Sequence, residues 1–250
     1  MSHFSDVDAS GAAVSLADYL RATDRSMSAF KAYVATAAQL AVRDGLVVDV
    51  GCGLGGDLAR LRALGVNTVG VDASATFLAT AATTGAPVLQ GDAAALPFRN
   101  GSVDGVRSER TLQHVADPGC VLDEMARVLR PGGWVAILEP DFRTFRVDSD
   151  GDNDIPARFM SARHPDIGGR MAGLLDDRGF RVRDIVTESS RGYALDDLPI
   201  VPQLVFARAI AAGRFDEAGA AQWFDEQRQR SADGTFLARW DKVLVVATKN

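Results

Sequence analysis

Four carboxylates stand at the ends of apolar runs and could share one ligand: Asp49, Asp72, Asp92 and Glu109. The first lies in VVDVGCGLGGDL, residues 47–58, where Gly51, Gly53 and Gly56 have the G-x-G-x-x-G spacing. In that pattern a glycine-rich backbone meets a helix N-terminus, and the pair cradles a pyrophosphate. Asp49 is badly placed for that task, because it precedes the first glycine by two residues and would repel a phosphate. Asp72 lies 21 positions past Gly51, near the spacing at which an acid grips both hydroxyls of a ribose.

A nucleoside with a cationic amino-acid end and no phosphate satisfies both acids. S-adenosylmethionine has this constitution: adenosine, an α-amino group, a carboxylate and a sulfonium. The glycines would let the backbone approach it closely. A nicotinamide-dependent oxidoreductase shares the turn and the Asp72 spacing, but Asp49 and the GDA stretch at 91–93 speak against it. A protein that binds S-adenosylmethionine without moving its methyl group, as a regulatory subunit or a cyclase, keeps the same residues and stays open.

The elements that position these groups alternate. GLVVDVG, NTVGVDAS, APVLQGDAAAL and SVDGVRSE read as strands, with DLARLRALG and SATFLATAATTG as helices between the first three. PGCVLDEMARVLR is an amphipathic helix, and a turn at RPGG leads into the strand WVAILEPD. FRTFRVDSDGDNDIP reads as a loop, GRMAGLLDDRGF as a helix with a glycine stop, and RVRDIVTES as a sixth strand. LPIVPQLVFARAIAAG and EAGAAQWFDEQRQRSA are helical, and WDKVLVVATKN is a seventh strand. Such β-α-β alternation predicts an α/β fold with a parallel, doubly wound sheet, and ligands bind at the carboxyl ends of its strands.

DVGCGLGG, VDAS, GDAAALPF, SVDGVRSERTLQHVADP and EMARVLRPGGWVAILEPD, in this order, resemble the class I S-adenosylmethionine-dependent methyltransferases. The resemblance is to the small-molecule branch that includes ubiquinone and menaquinone biosynthesis methyltransferases, and it covers about Gly45 to Asp141. It implies a Rossmann-like sheet of seven strands, the last antiparallel, with an N-terminal helical lid and a helical insert before the last strand. One methyltransferase domain would fill 1–250: a lid at 1–44, a cofactor half at 45–141 and an acceptor half at 142–250. Residue by residue, Asp49, Gly51, Cys52, Gly53 and Gly55 would line the methionine part of the cofactor. Asp72 would hold the ribose, Ala73 would lie against the adenine, and Asp92 with Ala93 would sit at the adenine edge. Ser108 and Glu109 would border the reactive methyl. Arg110 departs from the family, where this position is small or neutral.

Around that core stand candidate acceptor-side groups. His114, Glu109 and Asp141 are the acid/base candidates, needed only if the acceptor must lose a proton. Arg107 and Arg110 could hold an anionic acceptor, and a salt-bridge network is the competing account. His164 reads as a helix-start residue, Cys52 as a small spacer and Cys120 as buried packing. Tyr19, Phe30, Tyr33, Phe159, Phe206, Trp223 and Phe224 could wall an apolar pocket or serve as ordinary core.

Composition narrows the partners. The net charge of −6 and a hydrophobic fraction of 47% suit a globular protein without a basic nucleic-acid footprint. SERTLQH also lacks the Asn/Asp-Pro-Pro-aromatic motif of amino-directed DNA enzymes. The two cysteines form no metal pattern, and no apolar run approaches the roughly 20 residues of a membrane span. MSHFSDVDAS has no signal-peptide character, so a cytoplasmic setting is expected. The implied partner is a small-molecule acceptor, and a homodimer stays open.

Overall fold

The computed structural model describes residues 45–149, 162–198 and 202–250, together with Val7, Asp8, Ala17, Leu20 and Lys31. Most of the expected lid, with Tyr19, Phe30 and Tyr33, and also Phe159, lies outside the described residues.

The first half runs β1 (Leu46–Val50), α1 (Gly56–Ala63), β2 (Asn67–Asp72), α2 (Ala75–Ala81), β3 (Val88–Gln90), β4 (Val103–Glu109) and α3 (Pro118–Val128). The second runs β5 (Leu129–Val147), α4 (Ile167–Asp176), β6 (Phe180–Gly192), α5 (Pro202–Ala211), α6 (Glu217–Ala232) and β7 (Ala238–Lys249). The seven strands form one sheet in the order β3-β2-β1-β4-β5-β7-β6. Strands β1 to β5 pair in parallel, and β7 is antiparallel to both β5 and β6. The expected α/β sheet with an antiparallel last strand is present.

Side chains alternate across each strand, so the sheet has two apolar faces. Val48, Val50, Val106, Val135, Ile137 and Val245 pack under α3 and α4, which supply Val121, Leu122, Met125, Met171 and Leu175. Val47, Trp134, Ala136, Leu138 and Leu244 form the opposite face, joined by Leu61 of α1. The helix starts follow local chemistry. Ser74 Oγ accepts from the Phe77 N–H at 3.1 Å to cap α2, and Asp117 caps α3 ahead of Pro118.

Three expectations need correction. The RPGG turn does not precede β5 but lies within it: Val103 pairs with Leu129 and Gly105 with Trp134, so those residues bulge out of the ladder. Phe142 to Val147 is strand rather than loop: Arg146 and Val147 pair with Arg239 and Ala238, and a register shift between Asp141 and Arg146 lets Phe142 and Phe145, three residues apart, both turn inward. Cys120 is exposed, because it lies on the outer side of the first turn of α3.

The lengthened β5 organises a second core beyond the sheet's carboxyl ends. Phe142, Phe145 and Val147 meet Phe236, Ala238 and Trp240 at the start of β7, together with Phe206 of α5 and Ala220 and Trp223 of α6.

Candidate functional site

The glycine turn is bound to the neighbouring strand. The Gly51 and Cys52 N–H groups both donate to Val71 O, at 2.8 and 3.1 Å, which wraps the turn over the end of β2. Gly51 has φ +75°, and a Cβ there would run into the Thr111 side chain. Among the described residues, a Cβ on Gly53 would meet only Leu20, 3.7 Å away. The backbone is therefore approachable at Gly53, where a cofactor would lie.

Asp72 closes this cradle. Its Oδ2 accepts from the Gly53 N–H at 2.8 Å and its Oδ1 from the Ser74 N–H at 2.9 Å. Burial raises its pKa, and these two donors oppose the rise. Each oxygen retains a lone pair for a ribose hydroxyl. The Gly91 N–H donates to Asp72 O at 3.0 Å, so the ends of β2 and β3 lie side by side. Asp72, Ala73 and the exposed Asp92 thus share one rim, and Asp92 Oδ1 accepts from the Ala94 N–H at 2.9 Å.

Below the turn lies a buried ion network that the sequence reading only partly foresaw. Arg107 reaches Asp49 Oδ1 at 2.8 Å, Asp57 Oδ2 at 3.0 Å and Glu109 Oε2 at 2.9 Å. Lys31 approaches the same Asp57 and Glu109 oxygens at 2.7 and 3.0 Å. Arg60 adds a contact to Asp57, and Arg110 Nε lies 3.3 Å from Glu109 Oε1. Despite burial, Arg107 and Lys31 hold Asp57 below the usual carboxylate range. Asp49 behaves oppositely: burial outweighs Arg107 and pushes it up to about 6. Its second oxygen, Oδ2, is buried and has no hydrogen-bond partner among the described residues. The negative charge expected at Asp49 is thus balanced on one side and open on the other. Arg107 is turned inward and bound to three carboxylates, which removes it from the role of acceptor ligand.

The segment after β4 is held from beneath. Ser108 Oγ donates to Val50 O at 2.9 Å, so this side chain ties β4 to β1. Arg110, at φ +54°, is the one non-glycine residue with positive φ among the described residues, and its N–H donates to Leu138 O at 2.9 Å. Glu139 is fully buried under the loop; its Oε1 accepts from the Leu112 N–H at 2.7 Å, and Oε2 has no hydrogen-bond partner among the described residues. Burial pushes Glu139 up to about 8, against the pull of the Leu112, Thr111 and Gln113 N–H groups.

The acid/base candidates fare unevenly. Burial, and then Arg110, hold His114 down to about 3, so it is neutral and a weak base. Asp141 is gripped by Arg143 Nε at 2.9 Å and Nη2 at 2.5 Å, a bidentate pair rather than a free acid/base. Glu109 belongs to the ion network. His164 Nε2 lies 3.1 Å from Val115 O, a structural contact near the helix start. Cys52 is buried, and burial pushes its thiol up, which suits a spacer and not a nucleophile.

Several contributors escaped the sequence reading. Asp8 Oδ1 accepts from Ser74 Oγ at 2.6 Å and its Oδ2 from the Ala75 N–H at 2.8 Å, at the N-terminus of α2. With Leu20 near Gly53 and Lys31 in the ion network, three residues of the N-terminal segment reach the site. Lys242 of β7 is 2% exposed and faces the same side as Leu244 and Trp240, opposite Pro140 and Glu188.

Comparison with known proteins agrees with this geometry. A methyltransferase domain family matches residues 48–137. A 37.1 kDa protein of transposon TN4556 in Streptomyces fradiae is 34% identical over 94% of this chain and 70% of its own length. A demethylmenaquinone methyltransferase of Mycolicibacterium vanbaalenii is 38% identical over 37% of this chain, and the match spans only 41% of that enzyme. Among solved structures, the YcgJ protein of Bacillus subtilis superposes with a TM-score of 0.64 at 17% identity, over 88% of this chain and 97% of that one.

Proposed function

Because this chain belongs to the class I S-adenosylmethionine-dependent methyltransferases and uses that cofactor, we propose that it methylates an O, N or C atom of a small, partly apolar molecule of natural-product or quinone-like type. The observation that carries the reading is Asp49 Oδ2. It is the open acceptor of an otherwise balanced network, and it lies under a glycine turn whose backbone is approachable. An ammonium group satisfies such an atom, whereas a phosphate would be repelled by it.

The cofactor supplies a methyl group already activated on a sulfonium. The chain's own residues hold and align. Asp72 holds the ribose, the rim of Ala73, Asp92 and Ala93 borders the adenine, and Gly53 leaves room for the methionine part, which Gly51, Cys52 and Gly55 line. Glu109 and Ser108, at the end of β4, fix the floor beside the methyl. With His114 neutral and Asp141 bound by Arg143, alignment and exclusion of water carry the reaction. The acceptor that fits is one whose attacking atom needs little help in losing a proton, such as an acidic hydroxyl or an amine. Residues 45–141 serve as the cofactor half and the described part of 142–250 as the acceptor half, and the lid expected at 1–44 lies mostly outside the described residues.

Arg110 faces the acceptor and binds an anionic or carboxylate group on it. The test is release of S-adenosylhomocysteine from S-adenosylmethionine with a panel of small phenols, carboxylic acids and amines. The expected result is turnover with an acidic acceptor, and an acceptor KM that rises far more than the cofactor KM in Arg110→Ala. Equal effects on both constants would refute the role of Arg110. Tight cofactor binding with no transfer to any acceptor would favour a binding protein or a cyclase.

A further inference from the structure

Lys31 enters the buried ion network from the N-terminal segment, ahead of the first strand. Its side chain is 4% exposed, and its Nζ stands 2.7 Å from Asp57 Oδ2 and 3.0 Å from Glu109 Oε2. Arg107 approaches the same two oxygens, at 3.0 and 2.9 Å. Two cations and two carboxylates therefore alternate around a closed ring of Lys31, Asp57, Arg107 and Glu109. Asp49 joins the ring through Arg107 Nη1, which holds its Oδ1 at 2.8 Å. A lysine is buried this deeply only when carboxylates pair with it, and fixing its long chain costs rotamer entropy.

Charge decides what the ring does to Asp49. The groups that face Asp49 are Arg107 and Glu109 from β4, Asp57 from α1 and Lys31 from the N-terminal segment, with the Cys52 thiol and Asp72 around the turn. Asp49, Asp57 and Glu109 stand against only Arg107 and Lys31 in the interior, while Arg60 is more exposed and Arg110 meets the other oxygen of Glu109. Lys31 thus takes up charge on Asp57 and Glu109 and leaves Arg107 Nη1 to Asp49. Without Lys31 one guanidinium would serve three carboxylates, and a proton on Asp49 would relieve the surplus. Asp49 is the member poised to take it, because burial has already pushed it up to about 6. A protonated Asp49 offers the cofactor's ammonium group a neutral acceptor in place of an anion.

We propose that Lys31 is a positioning residue of the cofactor site: by closing the ring with Asp57, Arg107 and Glu109 it keeps Asp49 an anion for the ammonium group of the cofactor. The inference rests on the methyltransferase reading and adds that a residue of the N-terminal segment tunes cofactor capture. Lys31 acts through Asp49.

The full chain, Lys31→Met and Lys31→Arg are titrated calorimetrically with S-adenosylhomocysteine between pH 5 and 8. 5′-Methylthioadenosine, which keeps the adenosine and the thioether but has no ammonium group, is titrated in parallel. In the parent, S-adenosylhomocysteine affinity falls below about pH 6. Lys31→Met moves that fall upward by about one pH unit or more, so affinity at a pH of about 6 drops about threefold and recovers toward a pH of about 8. Lys31→Arg restores the parent profile, and both variants leave 5′-methylthioadenosine affinity unchanged. Should Lys31→Met not fold, Asp57→Asn is compared with Asp57→Asn/Lys31→Met, in which a lost carboxylate matches the lost cation; the same upward move is expected. A profile unmoved by loss of Lys31, or 5′-methylthioadenosine affinity that falls as far as that of S-adenosylhomocysteine, overturns the inference and leaves the lysine a merely structural part. Failure of the parent to bind S-adenosylhomocysteine overturns the methyltransferase reading itself, and this inference with it.

Discussion

Replacing Glu139 by glutamine should stabilise the protein, and more so as pH rises. Glu139 is fully buried with one oxygen unpartnered, and burial raises its pKa from 4.5 to about 8. A raised carboxyl binds its proton more tightly in the folded chain, so its contribution is complete below pH 4.5 and is lost as pH rises toward 8. Each pH unit in that window costs about 1.4 kcal/mol, so the folded state loses about 3 kcal/mol at pH 7 relative to pH 4.5. Glutamine keeps the acceptor for the Leu112 N–H and does not ionise. Urea unfolding of both proteins at pH 5, 6, 7 and 8 reads the difference. Stability of the variant relative to the parent should grow by about 1.4 kcal/mol per pH unit. Parallel curves across the four pH values would mean that Glu139 is ionised in the folded protein and that its environment has been misread.

Two further outcomes follow from the ion network. Asp49 titrates near 6 before cofactor binds, so S-adenosylhomocysteine affinity should fall as pH drops below that value, when protonation removes the acceptor for its ammonium. Asp49→Asn should bind about tenfold more weakly and lose this pH dependence, as read by calorimetry between pH 5 and 8; an unchanged pH profile would count against Asp49. Arg107→Leu should destabilise the chain by about 3–5 kcal/mol in urea, since three buried or part-buried carboxylates lose their shared partner. A loss below 1 kcal/mol would show the network to be dispensable.

The fold was legible because its signals are local. Short β-branched runs end at glycines and acids, and each helix between them has its apolar period, so sheet type and strand number followed directly. FRTFRV does not read as a strand because its two phenylalanines stand three apart, off the strand period of two, and only pairing with β7 across a register shift decides. The cofactor rim was readable from Asp49, Asp72 and Asp92 at successive strand ends. Their electrostatic partners were not, because Lys31, Asp57 and Arg107 meet only in three dimensions. One signal was present in the chain and passed over: Glu139 falls on the same strand face as Val135 and Ile137. A polar residue on an apolar period marks a buried group. The reading of Arg107 as an acceptor ligand failed because the strand's alternation turns it under the sheet's own helix, where Asp57 waits.

The central claim is that the glycine turn and Asp72 hold S-adenosylmethionine. Calorimetric titration of the full chain with S-adenosylhomocysteine, with NAD in parallel and Asp72→Ala as the control, tests it most directly. The account predicts micromolar affinity for S-adenosylhomocysteine, lost in the variant, and no binding of NAD. Binding of NAD alone, or S-adenosylhomocysteine affinity untouched by the variant, would contradict it.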